Sequence, residues 1–381
     1  MAAADAGTRK AAGRATQTEH GEAALDEERD QMRNLRTWTL LIVGGLGSIV
    51  AAFVGIAAPR RARRLAAEYA RFRADFQATH DAIDAVYDHH ERVVDGIRWH
   101  YVEAGAPDGE VILFLHGLPE GWYSWQYVLP LVDQGNRLVA IDMKGYGRSD
   151  LHDPDYDWHH VARQIADLIA SLGIERYFVV AHDWGAIIGS VLVGDHPNRI
   201  LGFVRMEADL VPREGTLGRL GAYLQKPQWL LFRNTWLATY LMRDPAWFID
   251  RVYGSRMVTP LRQEDRDYLV YEFSRPGVAE MNPRYFRARN WDLDAAIGKI
   301  CANRFPFPVL QLQADRDPAQ PPSILADVAT RCPNVQLEWI TDAGHFDNFD
   351  QPAQVADAIN RFVRSSPPSR RSRESLDPRP G

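Results

Sequence analysis

The chain has 381 residues, 46% hydrophobic and 25% charged, with 44 basic against 50 acidic side chains and a net charge of −6. At roughly 150 residues per domain this allows two to three folding units, and the balance excludes a disordered, collagen-like or disulfide-scaffold chain as a whole. A slightly acidic chain with no basic stripe in its folded part argues against nucleic acid as a partner, and the two cysteines, Cys301 and Cys332, show no metal-ligand spacing and fit a reducing compartment.

Residues 1–36 are rich in Ala, Thr, Glu and Arg without apolar periodicity and read as a disordered tail. A mean hydropathy of −0.33 suggests a soluble chain, but the average hides residues 37–59, which carry no charge. At 1.5 Å per residue such a run crosses a bilayer core of about 30 Å, which predicts one transmembrane helix over 37–59. It starts too late and runs too long for a signal peptide. Residues 17–36 hold Arg29, Arg33 and Arg36, whereas residues 60–79 hold Arg60, Arg61, Arg63, Arg64, Arg71 and Arg73. The basic excess places the C-terminal part in the cytoplasm, as a single-pass membrane protein. Small residues at four-residue spacing, Gly44/Ser48/Ala52 and Gly47/Ala51/Gly55, would let two such helices pack as a homodimer.

Residues 60–90 are charged and Ala-rich, a juxtamembrane helix whose arginines face lipid headgroups. Short apolar runs then alternate with helical spacing. Strands are expected at 97–102, 111–115, 137–141, 177–180, 309–312 and 336–340, and helices around Val161–Leu172 and from Pro352 to Val363. This rhythm means an α/β domain with a mostly parallel sheet, its core split into 91–207 and 301–364. Between them, residues 208–300 lose the strand pattern and are helical and rich in aromatics, an inserted lid over the strand ends. Residues 365–381 are Ser-, Pro- and Arg-rich and read as a second disordered tail.

The chemistry concentrates at strand ends. Val179 to Ala186 joins a buried strand to an apolar helix through small residues, with Asp183 at the centre, which is what a nucleophile elbow requires. A helix-capping Asp183 is the competing reading. The loop Gln313 to Pro318 offers an acid, and Asp342 to Phe346 offers His345 as a base, giving the chain order nucleophile, acid, histidine. Leu115 to Glu120 is a Gly-containing turn after another strand, whose Leu118 amide would join that of Trp184 in an oxyanion hole. Nothing in the pattern implies a cofactor or a metal.

Three of these segments carry a resemblance. His116-Gly117-Leu118-Pro119-Glu120, Gly145-Tyr146-Gly147-Arg148-Ser149-Asp150 and His182-Asp183-Trp184-Gly185 look like the HGxP turn, the GYGxSD loop and the nucleophile elbow of the epoxide hydrolase group of α/β-hydrolases. The likeness runs from about Arg92 to Val363. It implies Asp183 as nucleophile, His345 as base, Asp317 as its acid partner, Leu118 and Trp184 as oxyanion donors, and two lid tyrosines that hold and protonate the epoxide oxygen. Tyr285, in Met281 to Arg287, matches the second tyrosine with a one-residue change of spacing, and Tyr223 is the nearest candidate for the first. His116, Pro119, Trp184 and the lid's Trp229 are the expected substrate contacts, and the substrate is expected to be a small apolar epoxide drawn from membrane lipid. Haloalkane dehalogenases share the aspartate and Trp184 and remain an alternative, as does a non-catalytic, membrane-anchored lipid-binding protein.

Overall fold

The computed structural model describes residues 58–208, 231–288, 306–325, 328–333 and 335–366. The chain divides into two units, Met1–Arg64 and Leu65–Gly381. Of the first, the described part is the opening of helix α1 (Ala58–Asp84). The expected span at 37–59 lies outside the described residues except for its last two positions, and so do both tails apart from Ser365 and Ser366. Among the described residues, no helix is long and apolar enough to cross a membrane.

Eight strands form one sheet: β1 (Asp88–Val94), β2 (Ile97–Gly105), β3 (Val111–Leu115), β4 (Arg137–Ile141), β5 (Tyr177–His182), β6 (Ile200–Met206), β7 (Val309–Ala314) and β8 (Val335–Ile340). Their order is β1-β2-β4-β3-β5-β6-β7-β8. Only β2 runs against its neighbours. Strands β3, β5, β6 and β7 are buried along their whole length, because helices cover both faces and leave no solvent side for polar alternation. Helices α2 (Trp158–Ser171), α3 (Trp184–Asp195) and, at the end of the chain, Pro352–Ser365 supply that cover.

Two differences from the sequence reading stand out. Strand β1 occupies Asp88–Val94 and its first three residues fall in the stretch expected to be helical, so the sheet begins at Asp88 and α1 stops at Asp84. Its residues are mostly exposed, and a charged edge strand needs no apolar alternation to pair with β2. Second, Cys332 is disulfide-bonded, a pairing the sequence reading did not expect.

Between β6 and β7 the described residues form four helices, α4 (Thr235–Met242), α5 (Pro245–Gly254), α6 (Gln263–Phe273) and α7 (Val278–Arg287). Helix α1 ties two of them down. Tyr69 donates to Asp244 at 2.8 Å, at the N-cap of α5. Along α6, His80 meets Glu272 at 2.7 Å and Tyr268 donates to Asp84 at 2.8 Å. Arg73, expected at the headgroups, instead bonds the Tyr271 carbonyl and lies 3.9 Å from that ring's centre.

Candidate active site

The parallel strands β3, β5, β7 and β8 bring their C-terminal ends to one edge of the sheet, and Leu118, Asp183, Asp317 and His345 follow those ends. Strand β5 turns into α3 at Asp183, whose φ of +47° is a strained value for a side chain with a Cβ. Small neighbours make the turn possible. A Cβ on Gly185 would sit 2.4 Å from the Leu115 carbonyl oxygen, so only glycine lets α3 approach β3 this closely. Asp183 makes no capping hydrogen bond, which sets the helix-cap reading aside. Its side chain instead stands at the α3 N-terminus with 22% exposure. The Leu118 amide donates to Oδ1 at 3.2 Å, and the Trp184 amide also donates to this carboxylate.

His345 bridges two carboxylates. Its Nδ1 lies 2.8 Å from Asp317 Oδ2, and its Nε2 lies 3.3 Å from Asp183 Oδ2. Burial alone would drive the proton off the ring. The Asp317 charge and the bond to Asp183 more than offset that, and His345 is pushed up to about 10. Burial likewise opposes ionisation of Asp183, and the His345 contact reverses it, holding that carboxyl below its usual range. The resting site is thus a carboxylate–imidazolium–carboxylate row.

Two buried carboxyls to which the sequence reading gave no role support this row. Glu120 Oε2 accepts from the Gly117 amide at 2.5 Å and meets His182 Nδ1 at 3.1 Å, while His182 Nε2 donates to the His345 carbonyl at 2.7 Å. Both ring nitrogens therefore donate. Burial works against the charged ring, but the Glu120 carboxylate prevails and pushes His182 up to about 9. Glu207, at the end of β6 with φ +46°, accepts from Ala314 N at 2.6 Å and Gln313 Nε2 at 2.5 Å. Burial keeps its proton on, so Glu207 is the partner that donates to the ionised Asp317. Glu120 sits visibly in the HGxP turn, whereas nothing in the sequence near Glu207 marks it.

Leu118, Asp183, Trp184 and His345 line a cavity together with Phe232, Phe248, Val252, Arg256, Phe286, Ala319 and Gln320. Trp184 lines it as expected, whereas the other three expected contacts and Tyr223 fall elsewhere or outside the described residues. His116 is fully buried, with Nε2 accepting from the Met143 amide at 2.9 Å and Nδ1 left to donate to the Gly117 carbonyl at 2.8 Å. With both nitrogens on main chain it holds the turn and offers no atom to a substrate. Pro119 lines a separate cavity with Tyr146 and Tyr268. Tyr223 and Trp229 lie outside the described residues.

Tyr285 requires a correction. Its hydroxyl donates to the Lys144 carbonyl at 2.7 Å, and its ring is buried beside Tyr156, Tyr146 and Trp184. Phe286 faces the cavity in its place. One residue along an α-helix turns the side chain by about 100°, so the one-residue change of spacing moves the phenol off the site.

The family model described as the alpha/beta hydrolase fold matches residues 110–352. Epoxide hydrolase 2 of Siraitia grosvenorii is 30% identical over 307 residues, covering 71% of this chain and 96% of that protein. The chain belongs to the α/β-hydrolases of the epoxide hydrolase family. Epoxide hydrolase 1 of Caenorhabditis elegans is 26% identical over 289 residues, 70% of this chain and 68% of its own length. Among solved structures, an epoxide hydrolase of Vigna radiata superposes with a TM-score of 0.60 at 26% identity, over 73% of this chain and 98% of that one. The chain spans about half the length of the bifunctional epoxide hydrolases it also matches, 52% and 54%.

Proposed function

We propose that this chain is a membrane-anchored epoxide hydrolase that forms vicinal diols through an ester on Asp183. The observation that carries the reading is the Asp183–His345–Asp317 row beneath an apolar cavity, with two amides aimed at the nucleophile's own carboxylate. One oxygen of the ionised Asp183 attacks an oxirane carbon, the ring C–O bond breaks, and the freed alkoxide takes a proton. Tyr285 is engaged with Lys144, so in this proposal Tyr223 donates that proton and is left as a phenolate. Esterification removes the negative charge beside His345 Nε2, so the imidazolium gives up its proton more readily, and that proton passes through water to the Tyr223 phenolate, leaving a neutral ring when a base is needed. His345 then deprotonates a water that attacks the ester carbonyl carbon. The Leu118 and Trp184 amides hold the resulting oxyanion, each such donor being worth about 10²–10³ in rate. Collapse releases the diol and restores the carboxylate.

The anchor in this reading is the uncharged run 37–59, with the arginine excess placing the enzyme in the cytoplasm. The disulfide at Cys332 argues for the opposite side, and protease protection of sealed membrane vesicles decides between them. The activity is tested by assaying the purified full chain with aromatic and fatty epoxides and with bromoalkanes. Diol formation supports the proposal. Halide release without diol would replace it with a dehalogenase, and binding of lipid with no turnover of either class would leave a non-catalytic carrier.

A further inference from the structure

One fully buried acid beside the catalytic row has no part in the mechanism above. Asp347 opens the one-turn helix Asp347–Asp350, two residues after His345, and its carbonyl accepts from the Gln351 amide at 2.7 Å. Phe346, between the two, stacks on Tyr253 at 4.0 Å and holds the turn in place. Neither carboxyl oxygen of Asp347 has a side-chain hydrogen-bond partner among the described residues. The other acid of the helix, Asp350, is committed to the amides of Val258, Thr259 and Gly344. Ionising a buried carboxyl left this bare is costly, and polar groups without a side-chain partner are uncommon in a folded core.

The titratable groups that face Asp347 are His182 at the end of β5, Glu207 at the end of β6, Asp317 after β7 and His345 in its own loop. Polar atoms of Glu207, Asp317 and His345 lie within 4.8 Å of one another. The carboxylates of Glu120, Asp183 and Asp317 stand against the imidazolium rings of His182 and His345, and Glu207 keeps its proton, so the cluster holds one net negative charge before Asp347 is counted. Burial resists a second. The positive rings of His182 and His345 and the Asn348 amide favour it, Asp317 opposes it, and the Asp347 carboxyl is pushed up to about 7. Asp347 therefore changes charge near neutral pH, where Asp183 and Asp317 stay ionised and His182 and His345 stay protonated.

Resting on the epoxide hydrolase reading above, we propose that Asp347 is a positioning residue that acts through His345. Ionised, it holds the proton on the imidazolium and slows breakdown of the Asp183 ester. Protonated, it lets that proton go, because a neutral carboxyl does not favour a cationic ring beside it. Asp347 forms no bond to the substrate in either half-reaction.

The test is Asp347→Asn, which keeps the shape of the side chain and fixes it neutral. Single-turnover kinetics on the full chain, with an epoxide that wild type consumes, read ester formation and ester breakdown separately. At about pH 8.5 breakdown should be about three- to tenfold faster in the variant than in wild type, and at about pH 5.5, where wild-type Asp347 is itself protonated, the two should agree within about twofold. A purely structural role slows the variant at both pH values, and that result overturns the proposal. An imidazole NMR titration needs no substrate and should place His345 about half to one unit lower in the variant, the same factor read at equilibrium. An unchanged His345 overturns the proposal too. If the variant does not fold, the wild type decides. Infrared difference spectra between the two pH values should show a protonated carboxyl band lost together with a step in the His345 ring resonance, and absence of either overturns the proposal. If no epoxide is turned over while His345 shifts in the variant, the Asp347–His345 coupling stands and the hydrolase reading fails.

Discussion

His345 Nε2 stands 3.3 Å from Asp183 Oδ2, so base and nucleophile meet as an ion pair before any substrate arrives. The contact favours an ionised Asp183 and a protonated His345, the starting states that the proposed attack requires.

This ordering of steps sets the first expectation. Asp183→Asn should abolish turnover, by about 10³-fold or more given how units of this kind fail when one member is removed. His345→Gln should still alkylate Asp183 and then stop, leaving a substrate-sized mass on the peptide that contains it. Mass spectrometry showing no adduct with any epoxide that wild type consumes would sink the two-step mechanism.

A second expectation concerns pH. In the folded chain the flanking carboxylates push His345 up to about 10 from the ordinary imidazole value of 6.5. Below about 6.5 folded and unfolded chains both hold the proton. Above it only the folded chain does, so this stabilising contribution is fully present below 6.5 and lost as pH rises through 10. Asp183→Asn removes one of the two anions, which lowers the folded value and narrows the window. Imidazole NMR titration of both proteins checks this, and an unchanged His345 in the variant would contradict the ion-pair account.

Tyr285→Phe separates packing from catalysis. Its hydroxyl is spent on the Lys144 carbonyl, so the variant should lose about 1–3 kcal/mol of stability by urea denaturation through the unpaired acceptor. Its kcat should stay within about threefold of wild type, less than the 10²–10⁴-fold typical of a lost general acid. A collapse of kcat at full stability would return Tyr285 to the acid role.

Cutting the buried Glu120–His182 pair should be expensive. Glu120→Gln leaves a buried imidazolium with no counter-charge, a change that costs about 3–5 kcal/mol in comparable pairs. Because His182 also holds the His345 carbonyl, kcat should fall more than KM changes. Denaturant midpoints and steady-state kinetics read the two effects, and wild-type stability in the variant would show that the pair carries no weight.

Much of the catalytic row was legible because motif and chemistry coincide in sequence. Asp183 sits between small residues at a strand-to-helix junction, and Asp317 and His345 each follow an apolar strand. Strands β3 and β4 match their expected bounds because a strand buried on both faces must be apolar throughout. Strand β1 escaped notice because an exposed edge strand tolerates charge, and Glu207 because a lone acid after a strand carries no local signal.

The sequence by itself determined six of the eight strands, the strand-to-helix turn at Asp183 and the chemical type of the strand-end groups, since these depend on residues close together in the chain. Only the tertiary structure decided which side chains share a cavity. A helix turns each successive residue by about 100°, which seats Phe286 at the site and Tyr285 against Lys144, and Arg256 meets the catalytic loop only because the inserted helices fold back over the sheet.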